Sequence, residues 1–88
     1  MRNVTQAALT ARTAQLPEAF ADRVPPDELI GLRSMAGGGE WGELLDLLLT
    51  VLVQTQAPVT ATERDELRDI LTAWDLPASQ IADLAVER

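Results

Sequence analysis

The sequence contains no cysteine, no histidine and no lysine, and aromatic residues make up 3% of it. Without cysteine, neither a disulfide framework nor a thiolate metal site can form. Without histidine, the commonest general base, the commonest metal ligand and the usual switch near neutral pH are all missing. A di-metal carboxylate bundle is excluded with it, because that site needs a histidine three residues after a glutamate. Carboxylates and hydroxyls are the groups left for chemistry, and catalysis needs such groups positioned in a concave site. The expectation is a binding protein that is not an enzyme and holds neither cofactor nor metal.

Long apolar runs are also lacking. Leu44–Val53 is about half the length a membrane span requires, and Asp46 interrupts it. The N-terminal stretch lacks the apolar core of a signal peptide, so a cytoplasmic location is expected. No basic stripe is present, which argues against direct nucleic-acid binding. Alternating apolar and polar positions are absent, so no strand is predicted.

What the chain has is acid, and its placement is uneven. The formal net charge is −7 over 88 residues. Residues 1–39 balance four acids with four arginines, whereas residues 40–88 hold ten acids against three arginines. The entire imbalance falls on the second half. Such a field repels anionic polymers and lipid and attracts cationic protein surfaces.

The apolar content, 47%, is enough for one modest core. A chain of this size buries roughly 60–65% of its unfolded surface. The reading is a single helical domain over residues 1–88, with 1–3 as a loose N-terminal end. Gly39–Gln54 is its centre: Leu44, Leu45, Leu47, Leu48, Leu49, Val51, Leu52 and Val53 leave Glu43, Asp46, Thr50 and Gln54 in one narrow polar stripe at about 100° per residue. A helix with so wide an apolar arc belongs inside a bundle.

Around it, Val4–Leu16 reads as a helix with Val4, Ala8, Ala11 and Leu16 inward. Pro17–Asp22 reads as a helical turn or a bend. Pro25-Pro26 is a break, and Asp27 and Glu28 suit the start of a helix that runs to about Ala36. Gly37-Gly38-Gly39 ends it; the preceding strand and the lysine of a phosphate cradle are both missing, so the glycines read as a helix cap. Thr60-Ala61-Thr62-Glu63 matches a capping box, with Thr62 as the other candidate cap, and Leu67, Ile70, Leu71 and Trp74 mark the inward face of the helix it opens. Asp75-Leu76-Pro77 breaks that helix, and Ala78–Val86 reads as a last short one. The fold class is all-α: a small bundle of four to five helices around a central apolar helix.

Glu43 and Asp46 on the central helix, and Asp65, Glu66 and Asp69 on the next, are the candidate partner-binding residues. Their types and spacing suit a surface matched to a basic protein; a merely solvated face is the competing reading. Trp41 and Trp74, the large aromatics besides Phe20, fall on apolar arcs and are expected to pack inward, with a partly exposed anchor as the alternative.

From Gly39 to Leu76 the pattern resembles the small helical immunity proteins of the MafI type and of contact-dependent growth inhibition. The residues that carry the resemblance are Gly39-Glu40-Trp41, then Leu45, Asp46, Leu48 and Leu52, then Pro58-Val59-Thr60, Glu63, Leu67 and Ile70. The stretch is slightly under half of the chain. Departures are Leu44 where the family has a small residue, Gln54 where it has an acid, and Asp75 near its glycine. The resemblance implies a protein that binds and neutralises a cognate toxin domain, occluding a basic active-site cleft such as that of a nuclease, and that is a monomer or weak dimer when free. Two other readings stay open. One is a homodimeric interaction module using the apolar arcs of Leu44–Val53 or Leu67–Trp74. The other is an acyl-carrier-like protein, although Arg33-Ser34-Met35 has arginine where that motif needs aspartate.

Overall fold

The leucine run dictates the architecture. The computed structural model describes residues 2–87, with side chains from residue 6 onward. Helix α4, Trp41–Thr55, buries Leu44, Leu45, Leu48, Leu49, Val51 and Leu52. At about 100° per residue these six span an arc of about 160°. No single neighbour covers an arc that wide, so several elements converge on α4. The opposite stripe, Glu43, Asp46 and Gln54, is exposed, with Thr50 half-buried, as the spacing predicts.

Helix α1, Arg2–Ala14, leads into the single turn α2, Leu16–Ala19, and a 3-10 turn, Ala21–Arg23. Helix α3, Pro26–Gly38, packs most extensively on α4. After α4 come a two-residue strand β1, Pro58–Val59, helix α5, Ala61–Ala73, a second 3-10 turn, Ser79–Asp83, and a two-residue strand β2, Ala85–Val86. The result is all-α, with four long helices and one continuous core. Its radius of gyration, 12.4 Å, is close to the ~12 Å of a compact unit of this length. Among the described residues no helix is long and apolar enough to cross a membrane.

Several local expectations change. Helix α1 begins at Arg2, inside the stretch read as a loose end; Met1 and Arg88 lie outside the described residues. Its inward face is Leu9 and Thr13, continued by Leu16, while Ala8 and Ala11 are exposed. Alanine side chains are too small to set the helix rotation against Leu9. The short helix expected over Ala78–Val86 is a 3-10 turn followed by a strand, and β2 pairs with β1 in parallel, Pro58 opposite Ala85 and Val59 opposite Val86. Ile81 and Leu84 must both reach the core, and a 3-10 turn followed by extended chain delivers both. The glycine run caps α3 as expected: the helix continues through Gly37 and Gly38, and Gly39 is the left-handed residue, φ 71°.

Three helices end in the same way. At Gly39, Gln56 and Asp75 the chain turns left-handed, and two backbone bonds nest across each turn. The outer one is Glu40 N to Met35 O at 2.9 Å, Ala57 N to Leu52 O at 3.2 Å and Leu76 N to Leu71 O at 2.9 Å; the inner one is Gly39 N to Ala36 O, Gln56 N to Val53 O and Asp75 N to Thr72 O. These bonds satisfy carbonyls that a helix end otherwise leaves open. Gln56 and Asp75 hold the conformation with a side chain attached, at φ 54° and 60°.

Two polar ties fix how the cover sits. Thr13, a buried hydroxyl, donates to Leu9 O at 2.8 Å and accepts from the Trp74 indole at 2.9 Å, joining α1 to the end of α5. Trp74 stacks on Trp41 at 6.4 Å between centroids. Both tryptophans are half-buried against the core, between the two positions foreseen for them. At the other end of α5, Arg23 donates to both oxygens of Glu63, at 2.6 and 2.8 Å, and also to Pro58 O and Ala19 O. Its guanidinium lies 4.7 Å over the Phe20 ring. The same glutamate completes the capping box: Glu63 N donates to Thr60 Oγ1 at 3.0 Å and Thr60 N donates to Glu63 Oε1 at 2.9 Å. Thr60, not Thr62, is the cap.

The Arg23 hydrogen bonds hold the Glu63 carboxyl below its usual value of 4.5; burial opposes them, and the Thr60 amide and hydroxyl assist. A depressed carboxyl contributes stability that is complete above its unfolded pKa and is lost as pH falls through the folded one. Acid titration below about pH 4.5 should therefore unfold Glu63→Gln less steeply than the parent. Glutamine keeps the cap geometry but loses the charge, so Glu63→Gln should cost about 1–2 kcal/mol at neutral pH and Glu63→Ala about 1 kcal/mol more. Urea melts at pH 7 and pH 3.5 check both statements; an identical pH slope for Glu63→Gln would remove the ion pair from the account.

The left-handed caps make a second prediction. Asp75→Gly should stabilise by about 1 kcal/mol, and Gly39→Ala should destabilise by about 1–2 kcal/mol. Gly37 is helical, with open space where a Cβ would stand. Gly37→Ala should therefore stabilise by about 0.5–1 kcal/mol. Thermal melts should show these as shifts of about 4–8 °C per kcal/mol.

Candidate functional site

The residues predicted to meet a partner lie on two helices. Glu43 and Asp46 are exposed on the outer stripe of α4. Asp65 and Asp69 are exposed on the outer face of α5, opposite Leu67, Ile70 and Leu71. Glu66 is also exposed but sits on the flank of α5 that faces α1, where Arg12 reaches it at 3.4 Å. The five do not form one cluster: the 3-10 turn Ser79–Asp83 packs against both α4 and α5.

Their electrostatic states differ. Asp65 is met by Arg64 at 3.1 Å and Arg68 at 3.4 Å. Glu66 shares its charge with Arg12. Glu43, Asp46 and Asp69 meet no described cation. The arginines whose side chains are described are all engaged: Arg12 by Glu66, Arg23 by Glu63 and Asp22, Arg33 by Glu18, Arg64 and Arg68 by Asp65. The Arg33–Glu18 pair is bidentate, at 2.7 and 2.9 Å, and the guanidinium bonds lower the Glu18 pKa. The positive charge of the described side chains is thus tied up internally. Among the described acids of residues 40–88, Glu40, Glu43, Asp46, Asp69, Asp75, Asp83 and Glu87 have no described ion-pair partner.

One stretch read from the sequence as a helix break and the start of a short helix joins this surface. The chain from Leu76 to Gln80 lies beside α4 and, with Gly42, Leu45, Asp46, Leu49 and Leu71, encloses a groove of about 350 Å³. Gln80 Nε2 donates to Thr50 Oγ1 at 3.3 Å and secures the segment to the α4 stripe. The signal that could have marked it is Leu76 directly after the break: an apolar residue following a left-handed cap tends to fold back on the helix it leaves. Ser34, the position compared with a carrier serine, is exposed within α3, and its neighbour Arg33 is committed to Glu18.

Most of the apolar arcs considered for self-association is covered, with Leu47, Val53 and Trp74 half-buried. Leu44, Leu45, Leu48, Leu49, Leu52, Leu67 and Ile70 are at most 2% exposed. Among the described residues, Ile30 is the large apolar side chain left in solvent, at 65%. An isolated residue of this kind is ordinary for a monomer's surface. No group of three or more His, Cys, Asp or Glu side chains among the described residues is placed to hold a metal ion.

No protein-family model matches the chain, and no curated protein or solved structure has a significant similarity to it.

Proposed function

We propose that the protein is an immunity-type inhibitor, which binds a cognate toxin domain in the cytoplasm of the cell it protects and blocks a basic active-site cleft. The observation that carries this reading is the uncompensated acid of residues 40–88: the described arginines are held by carboxylates, while Glu43, Asp46 and Asp69 face solvent without a counterion. The MafI-like pattern of Gly39–Leu76 lies on the same half of the chain. An enzyme that acts on an anionic polymer such as RNA presents a cationic cleft, and an acidic folded surface is complementary to it. The inhibitor needs no chemistry. It needs a surface that keeps its shape, which the core behind α4 and α5 supplies, and a field that speeds encounter.

Asp65 and Glu66 contribute to that field but are already paired, so their contacts to a partner compete with Arg64, Arg68 and Arg12. Glu43, Asp46 and Asp69 carry no such cost.

The test is capture of the C-terminal domain of a large secreted protein encoded beside this one, together with rescue of cells that express that domain. Capture should weaken with salt, since screening lengths fall to about 3 Å at 1 M. Reversing Asp46 and Asp69 together to arginine should slow association by about tenfold or more at low salt. Both positions are exposed and unpaired, so the melting transition should move by no more than about 0.5 kcal/mol. Unchanged affinity in the double variant would rule out the acidic surface as the docking face. Failure of every neighbouring toxin domain to bind, with a stable dimer in solution, would replace the inhibitor with a self-associating module.

A further inference from the structure

The groove between α4, the end of α5 and the Leu76–Gln80 segment combines an apolar floor with an anionic lip. Its floor is apolar: Leu45, Leu49 and Leu71 line it from beneath, and Leu76 and Pro77 form one wall. Its lip is anionic, because Asp46 lines it, is exposed and meets no described cation. The volume, about 350 Å³, lies at the low end of the ~300–1,000 Å³ range of ligand pockets. It therefore suits one or two side chains better than a cofactor. The stack of Trp41 on Trp74 adjoins the same seam, one residue before Gly42 on α4 and two before Leu76.

We infer that this groove receives an arginine side chain of the partner protein. The aliphatic stem lies along the leucine floor, as long cationic side chains do on apolar surface. The guanidinium reaches the Asp46 carboxylate, whose two oxygens match its planar fork. The charge of the groove selects this occupant. An apolar side chain would leave Asp46 desolvated beside it without a counterion, and an acidic one would add like charge. A second copy of this chain is disfavoured, because it brings a net charge of −7 against an anionic lip. The inference rests on the proposal that the partner is a basic protein, and among Glu43, Asp46 and Asp69 it singles out Asp46, on the first half of α4, as the anchor.

Groove and inhibitor reading separate in one experiment on the intact, isotope-labelled protein. The probe is a capped tripeptide with arginine at its centre, and the control is the same peptide with neutral citrulline. Saturable amide shifts are expected at Asp46, Leu49, Leu76, Ser79 and Gln80. Citrulline, which keeps N–H donors but removes the guanidinium charge, should weaken binding by about tenfold, and so should Asp46→Asn. Glu87→Gln, at an exposed acid outside the groove lining, should leave the titration unchanged. No saturable shift, an equal response to citrulline, survival of binding in Asp46→Asn, or shifts centred on Asp69 would each overturn the assignment. The peptide needs no toxin. A toxin domain captured after a failed titration would keep the inhibitor and remove the groove; a successful titration with no toxin captured would do the reverse.

Discussion

Everything in this fold follows from one constraint: α4 is apolar over too much of its circumference to be covered by one neighbour. An ordinary surface helix shows an apolar stripe a little over 100° wide and needs one partner layer. The wider arc of α4 demands cover from several directions, and 88 residues leave little chain to provide it. Helix α3 takes one flank, α1 and α5 contribute Leu9, Leu67, Ile70 and Leu71, and a 3-10 turn supplies Ile81. Economy explains the irregular C-terminal region. The 3-10 turn packs against both α4 and α5, and the strand that follows it pairs with β1.

Apolar cover is not self-specifying, because leucine faces slide on one another at small cost. The polar ties do the specifying. Arg23 connects α2, the connector before α5 and the α5 cap, while Thr13 and Trp74 fix α1 on the end of α5. Each tie carries a penalty if its partner moves, since a desolvated donor or charge left unmatched costs more than the bond contributes. The left-handed caps act similarly on the backbone: they set the angle at which each helix hands over to the next. That Gln56 and Asp75 occupy two of them shows local strain held by the tertiary packing around it.

What was legible in the sequence was whatever is local and periodic. The α4 stripe, the inward face of α5 and the Thr60–Glu63 capping box depend on residues within one or two turns of each other, and the spacing contains all the information required. Of the stripe read for α1, Leu16 is buried as its spacing predicts and Val4 lies outside the described side chains, but the alanines give a spurious stripe: Ala8 and Ala11 are exposed while Leu9 and Thr13 face inward. The decisive contact, Thr13 to Trp74, spans sixty-one residues. The Arg23–Glu63 pair spans forty, and the β1–β2 pairing joins segments too short to alternate. Nothing in a helical pattern foretells such contacts. The same limit applied to the acids. Their positions outside the core were legible, but not which of them the chain's own arginines would occupy.

That last distinction governs what the surface can bind. A carboxylate already matched by an arginine, such as Asp65 or Glu66, offers a partner cation only the difference between two similar contacts, and both sit in high dielectric where each is small. A carboxylate without a counterion offers the whole interaction. Asp46 adds to this a leucine floor beside it, which removes water from one side of the pair and so strengthens the attraction it can make. Charge alone would make the second half of this chain broadly sticky for cationic proteins. Charge set at the lip of an apolar groove rewards one arrangement of stem and head group over others, and on the proposed reading it is there, more than on the richer acidic face of α5, that one basic partner would be told from another.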